Sequence, residues 1–357
     1  QRLRGLGALR DALTGATGLP APEAITASFV MGPVETHHME TTPLGTTDES
    51  VSALCLGTMY FGSRTDPETS WDILDAYYEA GGRFLDTANK YATWVDGYDE
   101  PESEPLLGEW MAERGNREKL FVATKVGFPY PGVERGLSPE QIEREVEGSL
   151  DRLGVDTIDL LYAHGDDYDT SQEAYMEAFH RLVEDGTVRH LGASNFFAWR
   201  LARANRIAAE NDWTPFSVVQ PRFSYLVPNR GEDFGRQVPA TDELVIYCEE
   251  HDIPFVPFSP LLQGAYGRED RPIPDEYVNT ENRLKTRTVE RIADEHDATG
   301  NQVVLAWMTR RDPAAIPLFG CSSVAQLEEN LASLSVDLSD AELERLDEID
   351  RLGDVNW

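Results

Sequence analysis

The chain has 357 residues, 41% of them hydrophobic, enough to bury a large core as one barrel or as two ordinary domains. Its 64 acidic against 31 basic residues give a net charge of −33, which opposes nucleic acid or an anionic membrane as partner, and no run of about 18 apolar residues suggests a transmembrane helix. Cys55, Cys248 and Cys321 are odd in number and far apart, and the seven histidines follow no ligand spacing, so neither a disulfide framework nor a metal site is expected.

Residues 1–38 carry little hydrophobic periodicity. Their basic start (Arg2, Arg4, Arg10) lacks the apolar segment and cleavage site of a secretory signal, so a poorly ordered or extraneous extension and a cytoplasmic location are expected. The folded body is read as 39–357, opening at Met39. From about residue 51, short apolar runs alternate with amphipathic stretches. The runs fall at 53–58, 84–87, 120–125, 158–164, 188–194, 217–220, 254–259 and 315–319. Helical patterns lie at 69–80, 103–114, 139–153, 172–185, 197–210, 241–251, 283–309 and 322–334, and an extra one at 339–350 closes the chain. Strands this apolar belong to a parallel sheet covered on its faces, and eight such units predict a single-domain α/β fold, the (β/α)8 barrel. No Gly-x-Gly-x-x-Gly follows an early strand, which argues against an open dinucleotide-binding sheet.

In such a barrel the functional groups gather at the C-terminal ends of the strands. Six consecutive runs end in polar residues: Asp86, Lys125, His164, Ser194-Asn195, Gln220 and Ser259. Taken singly, each has an ordinary reading as a helix cap, a structural ion pair or packing. Together with Tyr91 they form a chemical argument. A buried lysine beside Asp86 stays charged, and its ammonium is expected to lower the pKa of the Tyr91 phenol from about 10. Such a phenol is a general acid for an oxygen on which charge develops, and a neutral His164 can orient that oxygen.

The motifs Leu56-Gly57-Thr58-Met59, Phe84-Leu85-Asp86-Thr87-Ala88 with Tyr91, Ala123-Thr124-Lys125-Val126-Gly127, Asp159-Leu160-Leu161-Tyr162-Ala163-His164, Gly192-Ala193-Ser194-Asn195-Phe196, Phe258-Ser259-Pro260-Leu261 and Glu329-Asn330 occur in the order found in the aldo-keto reductase superfamily, which the sequence resembles over roughly 40–350. The resemblance implies a (β/α)8 barrel that reduces aldehydes and ketones with a nicotinamide cofactor, or oxidises a sugar or alcohol in reverse. Its Asp-Tyr-Lys-His tetrad falls on Asp86, Tyr91, Lys125 and His164. It also implies that Gly57, Thr58 and Met59 line the nicotinamide ribose, with Asp86 beside it. Ser194, Asn195 and Gln220 would hold the carboxamide, and Phe258 would stack on the ring. Ser259, Pro260, Leu261 and Gly264 would follow the pyrophosphate, and Glu329 and Asn330 would meet the adenine.

Many members bind the 2′-phosphate with cations after the eighth strand. Here that stretch, Gly320-Cys321-Ser322-Ser323-Val324-Ala325-Gln326, has none, and Gly320, Ser322 and Gln326 are carried over as polar cofactor contacts only. The sequence is in this respect similar to the branch of potassium-channel β subunits and bacterial aldo-keto reductases. In that branch Gly-Lys follows the seventh strand, where this chain has Gly267-Arg268, with Arg271, Arg283, Lys285 and Arg287 downstream. Arginine can grip a phosphate through two parallel hydrogen bonds, so NADP(H) is expected with Arg268 as the 2′ ligand, NAD(H) or dual use being the alternative.

Tyr60, Trp94, Phe128 and Phe196 are the expected walls of a substrate pocket. The acids Asp96, Asp99, Glu100, Glu102 and Glu104 would suit a sugar as well as a plain carbonyl compound, or form a solvated face. Two other roles remain open: a cofactor-binding regulatory subunit with little turnover, and an unrelated barrel hydrolase or isomerase. Oligomeric state is not legible. Only Lys90, Lys119, Lys125 and Lys285 among the basic residues are lysines. With the net charge this points to a salt-adapted protein, since self-repulsion is screened only when ions are concentrated; the alternative is an ordinary acidic protein.

Overall fold

The computed structural model describes residues 39–348 apart from 269 and 312. The extension at 1–38 and the end of the closing helix lie outside the described residues. The chain opens with an antiparallel hairpin, β1 (Thr41–Pro43) and β2 (Ser50–Ser52). Parallel strands β3 (Cys55–Gly57), β4 (Phe84–Asp86), β5 (Phe121–Val126), β6 (Ile158–Ala163), β7 (Val188–Ser194), β8 (Val218–Gln220) and β9 (Leu318–Phe319) follow in a sheet ordered β8-β7-β6-β5-β4-β3-β9.

The seventh apolar run is the piece that closes this sheet. Segment 254–258 receives hydrogen bonds from Val219 and donates through Val256 to the carbonyl of Val219. On its other side the carbonyls of Phe255 and Pro257 accept from Ile316 and Leu318. Parallel bridges pair it with both β8 and β9. Pro254 and Pro257 lack the N–H groups a continuous ladder needs, so the segment pairs as isolated bridges rather than as a regular strand.

The outer layer consists of α1 (Pro67–Glu79), α2 (Ser103–Arg114), α3 (Pro139–Leu153), α4 (Gln172–Glu184), α5 (Ala198–Glu210), α6 (Asp242–Glu250), α7 (Thr280–Glu295), α8 (Gly300–Arg310) and α9 (Val324–Leu331), with α10 (Asp340–Asp347) after the last strand. Local chemistry sets their ends. Ser138 caps α3 ahead of Pro139, and Gly154 stops it in the left-handed conformation at φ 63°. The pattern read as one helix over 283–309 is two helices. Asp297 turns left-handed at φ 51°, and Thr299 and Gln302 form a reciprocal capping box that starts α8.

Cys55, Phe84, Ala123, Tyr162, Val218, Val256, Ile316 and Leu318 pack together as the barrel interior. Tyr162 fits because its neighbour is Gly192: a Cβ there would lie 2.4 Å from the ring. The hairpin, which the sequence reading did not foresee, adds Leu44 and Val51 to this interior at the N-terminal ends of the strands. Its Gly45, at φ +57°, passes so close to Pro254 that a Cβ would sit 2.4 Å from that ring. Each large apolar side chain so buried contributes on the order of 1.5–3 kcal/mol. With one end plugged, the open end is the C-terminal one. No described helix is long and apolar enough to cross a membrane.

Candidate active site

At the open end, Asp86 closes β4 and Lys125 lies near the end of β5; both are fully buried. The Lys125 ammonium contacts Asp86 Oδ1 and donates to the Thr87 carbonyl at 2.7 Å and to Tyr91 Oη at 2.9 Å. Gln220 Nε2 donates to the other Asp86 oxygen at 2.8 Å. A buried ion pair is costly unless its remaining lone pairs and protons are satisfied, and here all three ammonium protons and both carboxylate oxygens are engaged. Burial pulls the Lys125 pKa down, but Asp86 and Tyr91 outweigh it and hold the ammonium above its ordinary value. Asp86 shifts up through burial, against the pull of Lys125.

Tyr91 does not lie on a strand. Its loop is pinned where Asn89 N–H donates to the Lys125 carbonyl and Glu102 N–H to the Tyr91 carbonyl, both at 3.2 Å. Asn89 Nδ2 reaches the buried Glu145 carboxylate of α3 at 2.5 Å. The next residue, Ala92, holds a left-handed φ of 83°, a strained conformation for a residue with a Cβ. The expectation of a lowered Tyr91 pKa is corrected: burial is the largest influence and pushes it up to about 12, although Lys125 pulls the other way. The phenol is therefore protonated at neutral pH, the form that donates.

His164 follows β6, its imidazole stacked on Phe128 with centroids 4.2 Å apart and planes 8° apart. Gly165 permits this, since a Cβ there would meet the Phe128 ring at 2.3 Å. Burial, then the charges of Lys125 and Lys90, hold His164 well below the usual histidine range, so the ring is neutral. Trp94 stands edge-on to Tyr91 at 5.9 Å and to Tyr60 at 6.3 Å. Trp94 thus borders the phenol, with Tyr60 against Trp94 and Phe128 against His164, so these three rings reach the site. Phe196 does not: it is 1% exposed and packs on Phe216 at 5.5 Å in the outer core. Its neighbour Phe197 is the exposed one, beside a cavity of about 410 Å³ that Asn195 and Arg236 also line. Glu104 likewise leaves the expected acidic mouth, buried against Thr124 and Arg152 at 2.5 and 2.7 Å.

Whether the remaining residues fit a nicotinamide dinucleotide can be judged from their chemistry. Gly57 ends β3 paired with Asp86, Thr58 follows it, and Met59 is exposed next to them. Thr58, Thr87 and Ser103 share a cluster of hydroxyl hydrogen bonds that ties this loop to α2; Ser103 escaped the sequence reading. Asn195 Nδ2 donates to the His164 carbonyl and Ser194 Oγ, and its Oδ1 accepts from Val238 N–H, so its amide holds the loop as placed. Phe258 is half-buried against the barrel interior. Beyond it Ser259, Leu262, Gln263 and Gly264 all have positive φ, with Pro260 and Leu261 between them. Such a tightly turned loop can present backbone N–H groups to a phosphate, the Leu262 and Gly264 N–H groups being used in its own turns.

Further along, Glu329 accepts from Thr299 at 2.9 Å, and Asn330 is buried with no side-chain hydrogen bond to the described residues. Ser322 donates to Gln326 after Gly320. The residues fit the group. Arg268 is half-buried and held by Asp270 through two hydrogen bonds of 2.7 and 3.0 Å. Lys285 is withdrawn from the cations considered for phosphate, because it is buried over the Tyr225 ring. Among the described residues one trio, Asp48, Glu49 and His190, brings possible metal ligands together, beside the hairpin and away from Tyr91.

The aldo/keto reductase family model matches residues 53–351. The chain is 34% identical to the norsolorinic acid reductase stcV of Emericella nidulans, over 84% of this chain and 78% of that one. It is 32% identical to the uncharacterized oxidoreductase YrpG of Bacillus subtilis, over 87% and 96% respectively. An NADP(+) aryl-alcohol dehydrogenase of Phanerodontia chrysosporium is 29% identical over 84% of this chain and 82% of its own.

Proposed function

The chain belongs to the aldo/keto reductase family, and from that premise we propose that it reduces an aryl aldehyde or ketone to the alcohol with NADPH, Tyr91 giving the proton. The observation that carries this reading is the buried relay Asp86–Lys125–Tyr91 opening into a mouth walled by Tyr60, Trp94 and Phe128. A carbonyl compound with a flat ring packs on such walls, and relatives named for norsolorinic acid and for aryl alcohols support an aromatic substrate.

When bound, the nicotinamide supplies hydride to the carbonyl carbon. Tyr91 Oη donates its proton to the carbonyl oxygen, and Lys125 stabilises the negative charge left on the phenol. Asp86 keeps Lys125 charged and in place. Neutral His164 orients the oxygen, and the wall of aromatic rings excludes water. Oxidation of an alcohol runs the same path backwards. Arg268, released from Asp270, would meet the 2′-phosphate. The net charge supports work in concentrated salt.

The test is a fluorescence titration with NADPH and NADH, followed by a panel of aromatic carbonyls and sugars in concentrated KCl. Tyr91→Phe is expected to keep cofactor affinity and to lose reduction by a factor of about 10²–10⁴. Reduction at near wild-type rate by the variant would remove Tyr91 from the mechanism. Cofactor binding with no turnover across the panel would favour a regulatory subunit.

A further inference from the structure

Lys90 directly precedes Tyr91 but takes no part in the Asp86–Lys125 pair. Its ammonium lies 5.2 Å from the centre of the Trp94 ring and 5.5 Å from that of Phe128, the ring stacked on His164. The charge therefore stands between two walls of the mouth, on the side of His164. No carboxylate of the described residues lies within 4.0 Å of it.

The charge of Arg236 acts on Lys90 with the same sign. Arg236, exposed on the rim of the adjoining cavity, also lacks a carboxylate of the described residues within 4.0 Å. Burial first, and then Arg236, push the Lys90 pKa down. Four acids of this region are already engaged, while Glu232 on the cavity rim accepts, among the described residues, only from Asn229 at 3.5 Å. Asp86 is held by Lys125, Asp166 by Arg200 at 2.7 Å, and Glu145 by Asn89 and Gln141. Asp233 accepts from the Gly235 N–H within its own turn. A chain of net charge −33 thus leaves Lys90 and Arg236 without a carboxylate of the described residues within 4.0 Å at the mouth. Such an arrangement is unfavourable until an anion arrives, and it is the electrostatic complement of one.

We propose that Lys90, with Arg236 behind it, is a binding site for a carboxylate carried by the aryl substrate. The ring of an aromatic acid would lie against Trp94 and Phe128 with its carbonyl toward Tyr91 and its carboxylate toward Lys90. This makes Lys90 a specificity-determining residue, and the inference rests on the aryl-carbonyl reading above.

The experiment compares kcat/KM for 4-carboxybenzaldehyde and benzaldehyde at one fixed KCl concentration. Wild type is expected to prefer the carboxylated aldehyde by about tenfold or more, Lys90→Met to bring the ratio near one, and Lys90→Arg to keep most of the preference. Arg236→Ala should lower it in part. A wild-type ratio near one, or a ratio unchanged in Lys90→Met, overturns the proposal, since a lysine that only packs on Trp94 would not move the discrimination. Benzoate binding to the NADPH complex, followed by calorimetry, separates the two readings. Binding that is lost in Lys90→Met while no aldehyde is turned over supports the anion site and sinks the reductase. Turnover of both aldehydes with no benzoate binding sinks the anion site alone.

Discussion

Replacing Lys125 with methionine removes a cation from the centre of the site while nearly preserving its volume. Wild-type Lys125 and Asp86 are both 0% exposed, and Lys125 also donates to Thr87 at 2.7 Å and to Tyr91 at 2.9 Å. In the variant Asp86 keeps the Gln220 donor at 2.8 Å but no cation. Breaking one side of a buried pair costs about 3–5 kcal/mol, because a carboxylate is left uncompensated. Asp86 already sits above the ordinary carboxylate range through burial, with Lys125 pulling it down, so the substitution lets it rise further. A carboxyl whose folded pKa exceeds its unfolded value favours the folded state most below the unfolded pKa, and that advantage is lost as pH rises through the folded pKa. Lys125→Met is therefore weakened more at pH 8 than at pH 5. Asp86→Asn/Lys125→Met has no carboxylate to neutralise, so it should recover roughly half of the loss at pH 8 and lack the pH dependence. Both variants should lose about 10²–10⁴ in kcat, since the phenol keeps no cation beside it. Urea unfolding at the two pH values, at fixed KCl, reads the stability, and NADPH oxidation reads the rate. The reasoning fails if the single and double variants are equally stable at pH 8, or if Lys125→Met turns over at near wild-type rate.

The rate of reduction should be flat between about pH 6 and pH 9, because Tyr91, pushed up to about 12, stays protonated and His164, held well below the usual histidine range, stays neutral. A fall in kcat/KM across pH 7–9 would show that Tyr91 titrates far lower in the working enzyme. Arg268→Ala should raise the NADPH dissociation constant far more than the NADH constant, and Asp270→Asn, by freeing the guanidinium from its two hydrogen bonds, should lower the former. Equal effects on both cofactors would take Arg268 out of the 2′-phosphate site.

The strands and the ionisable residues at their ends were legible because a barrel constrains them strongly. A strand buried on both faces is mostly apolar, so an ionisable residue at or near its C-terminal end stands out, as Asp86 and Lys125 do. What the sequence concealed depends on three-dimensional company. Nothing local announced that Gln220 holds Asp86, that Ser103 ties two loops together, or that Glu145 reaches Asn89. Phe196 and Phe197 are adjacent phenylalanines, and only the start of α5 decides which one enters the core. The sign of the Tyr91 shift failed because opposite effects meet there. A charged neighbour can be read from a motif, but the extent of burial cannot, and burial is the larger influence. Lys90 did leave a trace, as one of four lysines and the neighbour of Tyr91, but its meaning depends on which carboxylates surround it.

These differences follow from how the molecule divides labour. Asp86, Lys125 and Gln220 sit on strands whose hydrogen-bonded neighbours fix them. Tyr91 is on a loop and becomes equally fixed only through Asn89, Glu102 and the Lys125 ammonium. The mouth is different. Trp94 is 41% exposed and Phe197 49% exposed, and the loops that carry them can change without disturbing the strands. Reaction class is thus a property of the barrel and substrate choice a property of its rim. If Lys90 is the proposed carboxylate site, replacing it is expected to change which carbonyl compounds are selected while leaving the relay beneath it intact.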